Sequence, residues 1–310
     1  MDKLKKVGLT ALGTALVSTA AYAGELSVTG SAAITFAGSD NGDDGNTWSA
    51  SDTLVFSGSA DLDNGMTVTL THKIDGGAND INTIGIDTGG MGTISFYGQD
   101  GTGPIGGWDD MTPSANEESW HGVNGTVTAA ASGASADNSF AYTNSDLMDG
   151  LSLTVFHAPA DGTVEVKSST EYGAQYTGID GLTVGFASGE NNAAATSIDS
   201  TNMYVTYAMD AFTIGVQDNA TDSEGSNADS DFRAYGISYA VSDDLSISYG
   251  EREYNSGDST TDQEDDAISI SYTMGGMTIA GGFNSSENVA GSTDATADKE
   301  SYEIGLSFAF

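Results

Sequence analysis

Short runs in which apolar and polar residues alternate fill the chain from residue 25 to its last residue. In the first run Leu26, Val28 and Ile34 share one parity, and serines and threonines occupy the other. Because successive side chains of a strand point to opposite faces, a period of two residues predicts β-strands. Almost no 3.6-residue pattern competes with it, so the chain is predicted to be all-β.

The runs number sixteen, and short turns alternate with longer polar stretches between them. Turns such as Asp63-Asn64-Gly65, Asp180-Gly181 and Gly275-Gly276 suit tight hairpins, because glycine and asparagine tolerate a positive φ. The predicted strands are 25–37, 52–62, 66–74, 81–87, 92–98, 138–144, 151–157, 168–177, 182–188, 202–208, 212–218, 232–241, 245–253, 266–274, 277–284 and 301–310. Short turns at one end and long loops at the other are typical of transmembrane barrels.

The polar parity of the runs is mostly serine, threonine and glycine, which indicates lipid on one face and water on the other. After residue 23 no run of about 20 apolar residues could form a membrane helix. A membrane-spanning chain without such a helix must close its sheet, because unpaired backbone groups are not tolerated in lipid. We therefore predict a transmembrane antiparallel up-and-down β-barrel of about sixteen strands.

The first residues predict a secretory signal peptide at 1–23. Three lysines precede a short apolar stretch at 7–17, and Ala21-Tyr22-Ala23 fits the small-x-small cleavage rule. That stretch is too short to span about 30 Å of hydrocarbon as an anchor. Residues 24–310 are then a single barrel domain.

The formal charge of −37 excludes nucleic acid as an expected partner, because phosphates attract basic surfaces. Without cysteine the fold cannot depend on disulfides. The three histidines are scattered, and no catalytic constellation is visible, so we do not expect an enzyme. After residue 23 the basic residues are Lys73, Lys167, Arg233, Arg252 and Lys299.

The last ten residues alternate without interruption, with Tyr302, Ile304, Leu306, Phe308 and Phe310 on one parity. A soluble protein seldom leaves such an apolar face at its terminus. The alternative is an edge strand of a soluble sandwich whose apolar face lies in the core.

With the leader, the first strand "GELSVTGSAAITF" and the closing strand "SYEIGLSFAF", the chain resembles the Gram-negative general diffusion porins, especially acidic trimeric porins of the alphaproteobacterial type. The resemblance implies a homotrimer among the lipids of the outer membrane. It also implies that Phe310 is the signal read by the outer-membrane assembly machinery. In this family the third long loop folds into the barrel and narrows the pore.

The longest connector, 99–137, follows the fifth predicted strand and is the expected constriction loop. Folded inward, its carboxylates would form a ring of the kind that selects cations. Alternatively, these acids only solvate an external loop. The residues are Asp100, Asp109, Asp110, Glu117 and Glu118.

The family opposes its acidic loop with a basic cluster on the wall, and here that cluster is thin. Parity places Lys73 and Arg252 on the lumen side, whereas Arg233 has the apolar parity and suits a rim or subunit contact. This departure puts a strong transverse field in doubt and favours cation selectivity.

Two short patterns resemble ligand motifs without matching them. Asp40, Asp43 and Asp44 offer oxygen ligands for Ca²⁺, but the spacing is not that of an EF-hand. A similar acidic group comprises Asp262, Glu264, Asp265 and Asp266. "GTGPIG" at 101–106 has glycine-rich phosphate-loop spacing but no βαβ context, and is interpreted as a flexible loop.

The leading hypothesis is a cation-selective trimeric porin for passive diffusion of ions and small hydrophilic solutes, without a required cofactor. The alternatives are a substrate-specific outer-membrane channel and a secreted or surface structural β-protein stabilised by Ca²⁺. Small residues on apolar strands suggest the subunit seam, namely Gly30, Ala32, Gly58 and Ala60.

Overall fold

The computed structural model describes residues 26–39, 47–123, 125, 133–160, 167–192, 197–224, 229–257, 259–294 and 296–310. The predicted signal peptide and the candidate Ca²⁺ ligands Asp40, Asp43 and Asp44 lie outside these residues.

Sixteen antiparallel strands form one closed barrel, as predicted. Five precede the longest connector: β1 (Leu26–Ser39), β2 (Thr47–Asp61), β3 (Thr67–Asp75), β4 (Ala78–Asp87) and β5 (Thr93–Gln99). The others are β8 (Ser139–Met148), β9 (Leu151–Ala158), β10 (Ser169–Ile179), β11 (Leu182–Asn191), β12 (Ile198–Met209), β13 (Phe212–Ser223), β14 (Ser230–Ala240), β15 (Leu245–Ser256), β16 (Gln263–Met274), β17 (Met277–Glu287) and β18 (Lys299–Ala309).

Short elements outside the barrel wall lie in the long connectors. The connector after β5 contains β6 (Gly101–Thr102), the helix α1 (Pro104–Gly107) and β7 (Ser135–Ala136), and β6 pairs with β7. A 3₁₀ helix, Val289–Gly291, lies between β17 and β18. Among the described residues no helix has the length and apolar character required to cross a membrane.

Several strands extend further into the long-loop end than predicted. β11 and β12 continue until Asn191 pairs with Ile198, so six of the twelve residues at 189–200, which lie between two predicted strands, belong to β11 and β12. The acidic group on β16 is also divided, because Asp265 is buried inside the barrel and Glu264 and Asp266 are exposed outside. Strand alternation separates these side chains, so Asp265 does not lie on the same face of the sheet as Glu264 and Asp266.

The barrel closes between its first and last strands. β1 pairs with β18, and two backbone hydrogen bonds join Gly30 and Phe310, with N···O distances of 2.7 and 3.0 Å. The ring of Phe310 lies against Gly30 and is 71% exposed. Its role as an assembly signal stays a prediction.

The distribution of side chains is inverted relative to a water-soluble protein. Large apolar residues such as Ile268 and Ile304 are exposed on the outer face, whereas Asn202, Gln217 and Asn219 are buried inside. An apolar band outside and a polar interior are what a lipid-embedded barrel requires.

We predict that Gly181→Ala destabilises the barrel by about 1–2 kcal/mol, because Gly181 has φ 74° and an added Cβ would meet the carbonyl oxygen of Ala208. The matched control is Gly305→Ala, whose Cβ would meet nothing closer than 3.8 Å. Urea unfolding of protein refolded into vesicles measures both. Equal midpoints for the two variants would contradict the prediction.

Candidate functional site inside the barrel

The connector between β5 and β8 is here called the inner loop (residues 100–138). Its described residues fold into the lumen, as expected, and run along the inner wall from β10 to β18. Met111 N–H donates to Gln217 Oε1 on β13 at 2.6 Å, and Ala115 N–H donates to Ser248 Oγ on β15 at 2.8 Å. Further along, Asn284 on β17 donates to the carbonyl oxygen of Glu118 at 2.8 Å.

Glu171 of β10 fastens both ends of the inner loop. Its fully buried carboxylate accepts hydrogen bonds from the backbone N–H of Ile105, at 2.8 Å, and of Ala134. A Cβ on Gly103 would overlap this carboxylate and approach Phe156 within 2.9 Å. The glycine-rich segment 101–106 therefore permits close contact with the wall, and its flexibility stays a prediction.

Amide side chains of the wall hold the middle of the inner loop. Gln217 Nε2 donates to the carbonyl oxygen of Trp108 at 2.7 Å, and Asn202 donates to the same oxygen. The indole of Trp108 packs edge-on against Tyr204, with the ring centroids 5.9 Å apart. Each buried amide thus has a partner, as buried polar groups require.

Arg252 of β15 lies beneath the inner loop and not on the open pore wall. Its guanidinium contacts Asp265 at 2.6 Å, and both side chains have no exposed surface. Trp120 of the loop covers it, with Cζ 4.1 Å from the ring centroid, and Phe232 and Tyr254 complete the enclosure. Parity placed Arg252 on the lumen side, but its charge is neutralised by Asp265 and shielded from pore water.

Four of the five carboxylates predicted for the constriction lie together on the inner loop. Asp109, Asp110, Glu117 and Glu118 are near enough to repel one another electrostatically. Asp100 is separate, at the first residue of the loop, where its backbone N–H donates to Asp137 Oδ1 at 3.1 Å. We call the four grouped residues the acidic cluster.

Burial, and then mutual repulsion, change the ionisation of the acidic cluster. Burial, followed by repulsion from Glu118, Asp109 and Glu117, raises the pKa of Asp110 to about 7. Burial is also the main cause that raises the pKa values of Asp109 and Glu117. Part of the cluster therefore carries a proton near neutral pH, and its negative charge grows as the pH rises.

His121 and Glu303 adjoin the acidic cluster and were not singled out by the sequence analysis. His121 Nε2 lies 3.3 Å from Glu303 Oε2, and His121 Nδ1 lies 3.9 Å from Glu117 Oε2. The pKa of His121 is raised, chiefly by its hydrogen bond with Glu303. Parity could have found Glu303, since Tyr302 and Ile304 face outward, but the position of His121 depends on the path of the loop.

The wall formed by β1 to β4 presents hydroxyl groups to the lumen. On these strands the lumen-facing residues have the parity opposite to that of the outward-facing Ile34, Leu54 and Leu70. They pair across neighbouring strands, and the hydroxyl oxygens of Ser31 and Thr53, for example, lie 2.7 Å apart. Others of this parity are Ser57, Thr69, Thr71 and Thr83.

Lys73 is the one Lys or Arg in β1 to β5. Its Nζ lies 2.6 Å from Asp80 Oδ2 and 3.3 Å from Asp75 Oδ2, so its charge is balanced at the rim. Arg233 is exposed on the outer face and pairs with Asp218 at 2.5 Å. The described residues of β1 to β5 therefore set no unpaired Lys or Arg opposite the acidic cluster.

A closed barrel with an apolar outer face, a polar interior and a loop folded into its lumen defines a pore-forming membrane protein. Residues 8–263 match the Gram-negative porin family, and the chain belongs to that family. It is accordingly a multi-pass β-barrel of the outer membrane and a diffusion channel. Among curated proteins, none matches the chain.

Solved porin structures share the fold at low sequence identity. The anion-selective porin from Comamonas acidovorans has a TM-score of 0.72 and 12% identity, covering 92% of this chain and 99% of that one. Salmonella typhi OmpF in complex with daunomycin has a TM-score of 0.70 and 13% identity, covering 93% and 98%. A variant of the Rh. blastica porin has a TM-score of 0.66 and 17% identity, covering 92% of this chain and 100% of that one.

We predict that Arg252→Met destabilises the protein by about 3–5 kcal/mol, because the buried Asp265 carboxylate loses the cation that balances its charge. Arg233→Met, which breaks an exposed Arg–Asp pair, is the matched control and should leave the unfolding midpoint unchanged. Urea unfolding in vesicles measures both. A small effect at Arg252 would show that water reaches the pair.

We predict that the permeability of K⁺ relative to Cl⁻ falls as the pH is lowered from about 8 to about 6, because a carboxyl with a raised pKa loses its negative charge over that interval. The midpoint should lie near the Asp110 pKa of about 7. In Asp110→Asn the change should be smaller, and Asp100→Asn, outside the cluster, should titrate like wild type. Reversal potentials in planar bilayers provide the measurement, and an unaltered titration in Asp110→Asn would refute the assignment.

Proposed function

We propose that this porin is a cation-selective channel for passive diffusion of ions and small hydrophilic solutes. The observation that carries the proposal is the acidic cluster of the inner loop, which shares the lumen with a hydroxyl-lined wall. Carboxylates at a narrow aqueous passage attract cations and repel anions. The hydroxyl groups of the wall solvate cations and anions alike, and they carry no positive charge that would oppose the electric field of the carboxylates.

The placement of basic side chains strengthens the proposal. Arg252 is enclosed with Asp265 beneath the inner loop, and Lys73 is paired with Asp75 and Asp80. Neither contributes an unbalanced positive charge at the acidic cluster. The fold does not decide selectivity, because the structurally similar Comamonas acidovorans porin is anion-selective at 12% identity.

Lumen aromatics give no support to the substrate-specific alternative. Trp120 and Phe232 enclose Arg252, and Trp108 packs on the buried Tyr204. These rings fasten the inner loop to the wall and are not arranged as a track along the pore. The alternative of a secreted or surface structural protein is wrong, because the chain belongs to the porin family. Calcium binding by the outer acidic loops stays a prediction.

We also propose that three copies associate through the outer face of β1 and β2, after removal of residues 1–23. Gly30, Ala32, Gly58 and Ala60 share this face with Leu26, Leu54 and Phe56 in register. A Cβ on Gly58 would meet only Leu26, at 3.8 Å, so the face has a shallow depression there. Small residues allow two barrels to approach closely, as in other membrane interfaces.

The test is planar-bilayer conductance of the refolded chain lacking residues 1–23 in a KCl gradient. Wild type should insert in threefold conductance steps with a reversal potential that favours K⁺. The quadruple variant Asp109→Asn, Asp110→Asn, Glu117→Gln and Glu118→Gln should lose most of that preference, because its loop carboxylates are neutral.

The control carries the same change of charge away from the inner loop. Asp149→Asn, Asp180→Asn, Asp210→Asn and Asp243→Asn neutralise four acids at the short turns between strands. This variant should retain the wild-type reversal potential. Equal losses in the two variants would attribute the preference to overall charge, and a wild type that prefers Cl⁻ would overturn the proposal.

A further inference from the structure

A turn in the inner loop gathers three metal-ligating side chains. The backbone N–H of His121 donates to the carbonyl oxygen of Glu118 at 3.1 Å, which closes the turn. One ligand atom each from Glu117, Glu118 and His121 lies within 4.8 Å of the other two. This group contains an imidazole as well as carboxylates, which distinguishes it from the other acidic groups described above.

A carboxylate of the barrel wall orients the imidazole. Glu303 of β18 places Oε2 at 3.3 Å from His121 Nε2, and Asn116 Nδ2 donates to its other oxygen at 2.8 Å. The side chain of Glu303 is only 18% exposed, and its strand is fixed between β1 and β17. The wall therefore holds the imidazole at Nε2, and Nδ1, which lies 3.9 Å from Glu117 Oε2, is directed at the carboxylates of the loop.

The donor set suits a divalent transition metal. Zn²⁺ binds imidazole nitrogen and carboxylate oxygen at about 2.0–2.2 Å in a tetrahedron, so its ligand atoms lie about 3.3–3.5 Å apart. His121 Nδ1 lies 3.9 Å from Glu117 Oε2, and one ligand atom from each of the three residues lies within 4.8 Å of the others, so closure by about 1 Å around an ion gives this spacing. Ca²⁺ and Mg²⁺ prefer oxygen ligands alone, so the imidazole favours Zn²⁺ over both.

We propose that Glu117, Glu118 and His121 bind a divalent transition metal such as Zn²⁺ while Glu303 orients the imidazole, and that the bound ion reduces cation flux through the pore. The metal places two positive charges among the carboxylates that attract cations. Metal binding does not depend on whether the pore prefers cations or anions. The effect of the metal on cation flux, in contrast, rests on the proposed function.

The first experiment measures binding by the refolded full barrel, prepared without a histidine tag. Calorimetry with Zn²⁺ should give one site per chain, and Co²⁺ should produce visible absorption bands that Zn²⁺ removes. His121→Gln and, separately, Glu303→Gln should weaken Zn²⁺ binding by about tenfold or more. His157→Gln, at an exposed histidine that contacts Thr170 on the outer face, is the matched control and should bind like wild type.

Several outcomes would overturn the metal site. These are undiminished Zn²⁺ binding in both His121→Gln and Glu303→Gln, the same loss in His157→Gln, and displacement of Co²⁺ by excess Mg²⁺. Circular dichroism of each variant confirms the folded barrel before binding is measured. If His121→Gln fails to fold, Glu303→Gln carries the test, because it preserves the shape of the side chain.

The second experiment adds Zn²⁺ to single channels in a planar bilayer. Current and K⁺ preference should fall in wild type and in His157→Gln, and should be unaffected in His121→Gln at the same concentration. Zn²⁺ binding that leaves the wild-type current unchanged would overturn the effect on flux. A wild type that shows no K⁺ preference before Zn²⁺ is added would instead be a failure of the proposed function, so the two failures are distinguishable.

Discussion

The structure depends on one constraint, which is that every backbone amide surrounded by lipid needs a hydrogen-bond partner in the protein. Pairing of β1 with β18 meets this need by removing the sheet edges, and the bonds between Gly30 and Phe310 complete it. Closure also determines how the interior is built. Since the backbone of the wall is already engaged in strand pairing, the inner loop can be held only by wall side chains. The buried Glu171, Asn202 and Gln217 supply these contacts, which explains why polar residues form the interior.

Much of the barrel could be predicted from the sequence, because alternation is a local property. In the membrane-embedded part, the outer side chains must be apolar and the inner ones are mostly small and polar, so each strand is recognisable by itself. Towards the long-loop end this contrast disappears, because water lies on both faces of the wall. The pairing of Asn191 with Ile198 therefore gave no sequence signal. The same alternation divides Asp265 from Glu264 and Asp266, which a count of nearby acids had treated as one group.

The candidate site was predictable as a segment but not as an arrangement. Length and acidity identified the inner loop, and four of the five acids predicted for the constriction do lie together. Parity gave the correct side of the sheet for Arg252, yet its enclosure by Trp120 and its pairing with Asp265 depend on where the loop crosses β15. The meeting of His121 with Glu303 joins positions 182 residues apart in the chain, and no spacing rule links them. The contacts of a loop without a periodic sequence pattern can be identified only when the three-dimensional path of its backbone is known.

Most side chains of the wall that hold the inner loop form hydrogen bonds with its backbone. Glu171 binds the N–H groups of Ile105 and Ala134, Gln217 binds the backbone of Trp108 and Met111, and Ser301 Oγ donates to the carbonyl oxygen of His121. A peptide backbone is the same whatever residue it carries. The wall therefore binds the backbone of the inner loop, whatever side chains the loop carries. Mutation can exchange the loop residues that face the pore and leave these backbone contacts in place. Ion preference and scaffold are then free to evolve separately, which is consistent with an anion-selective porin sharing this fold at 12% identity.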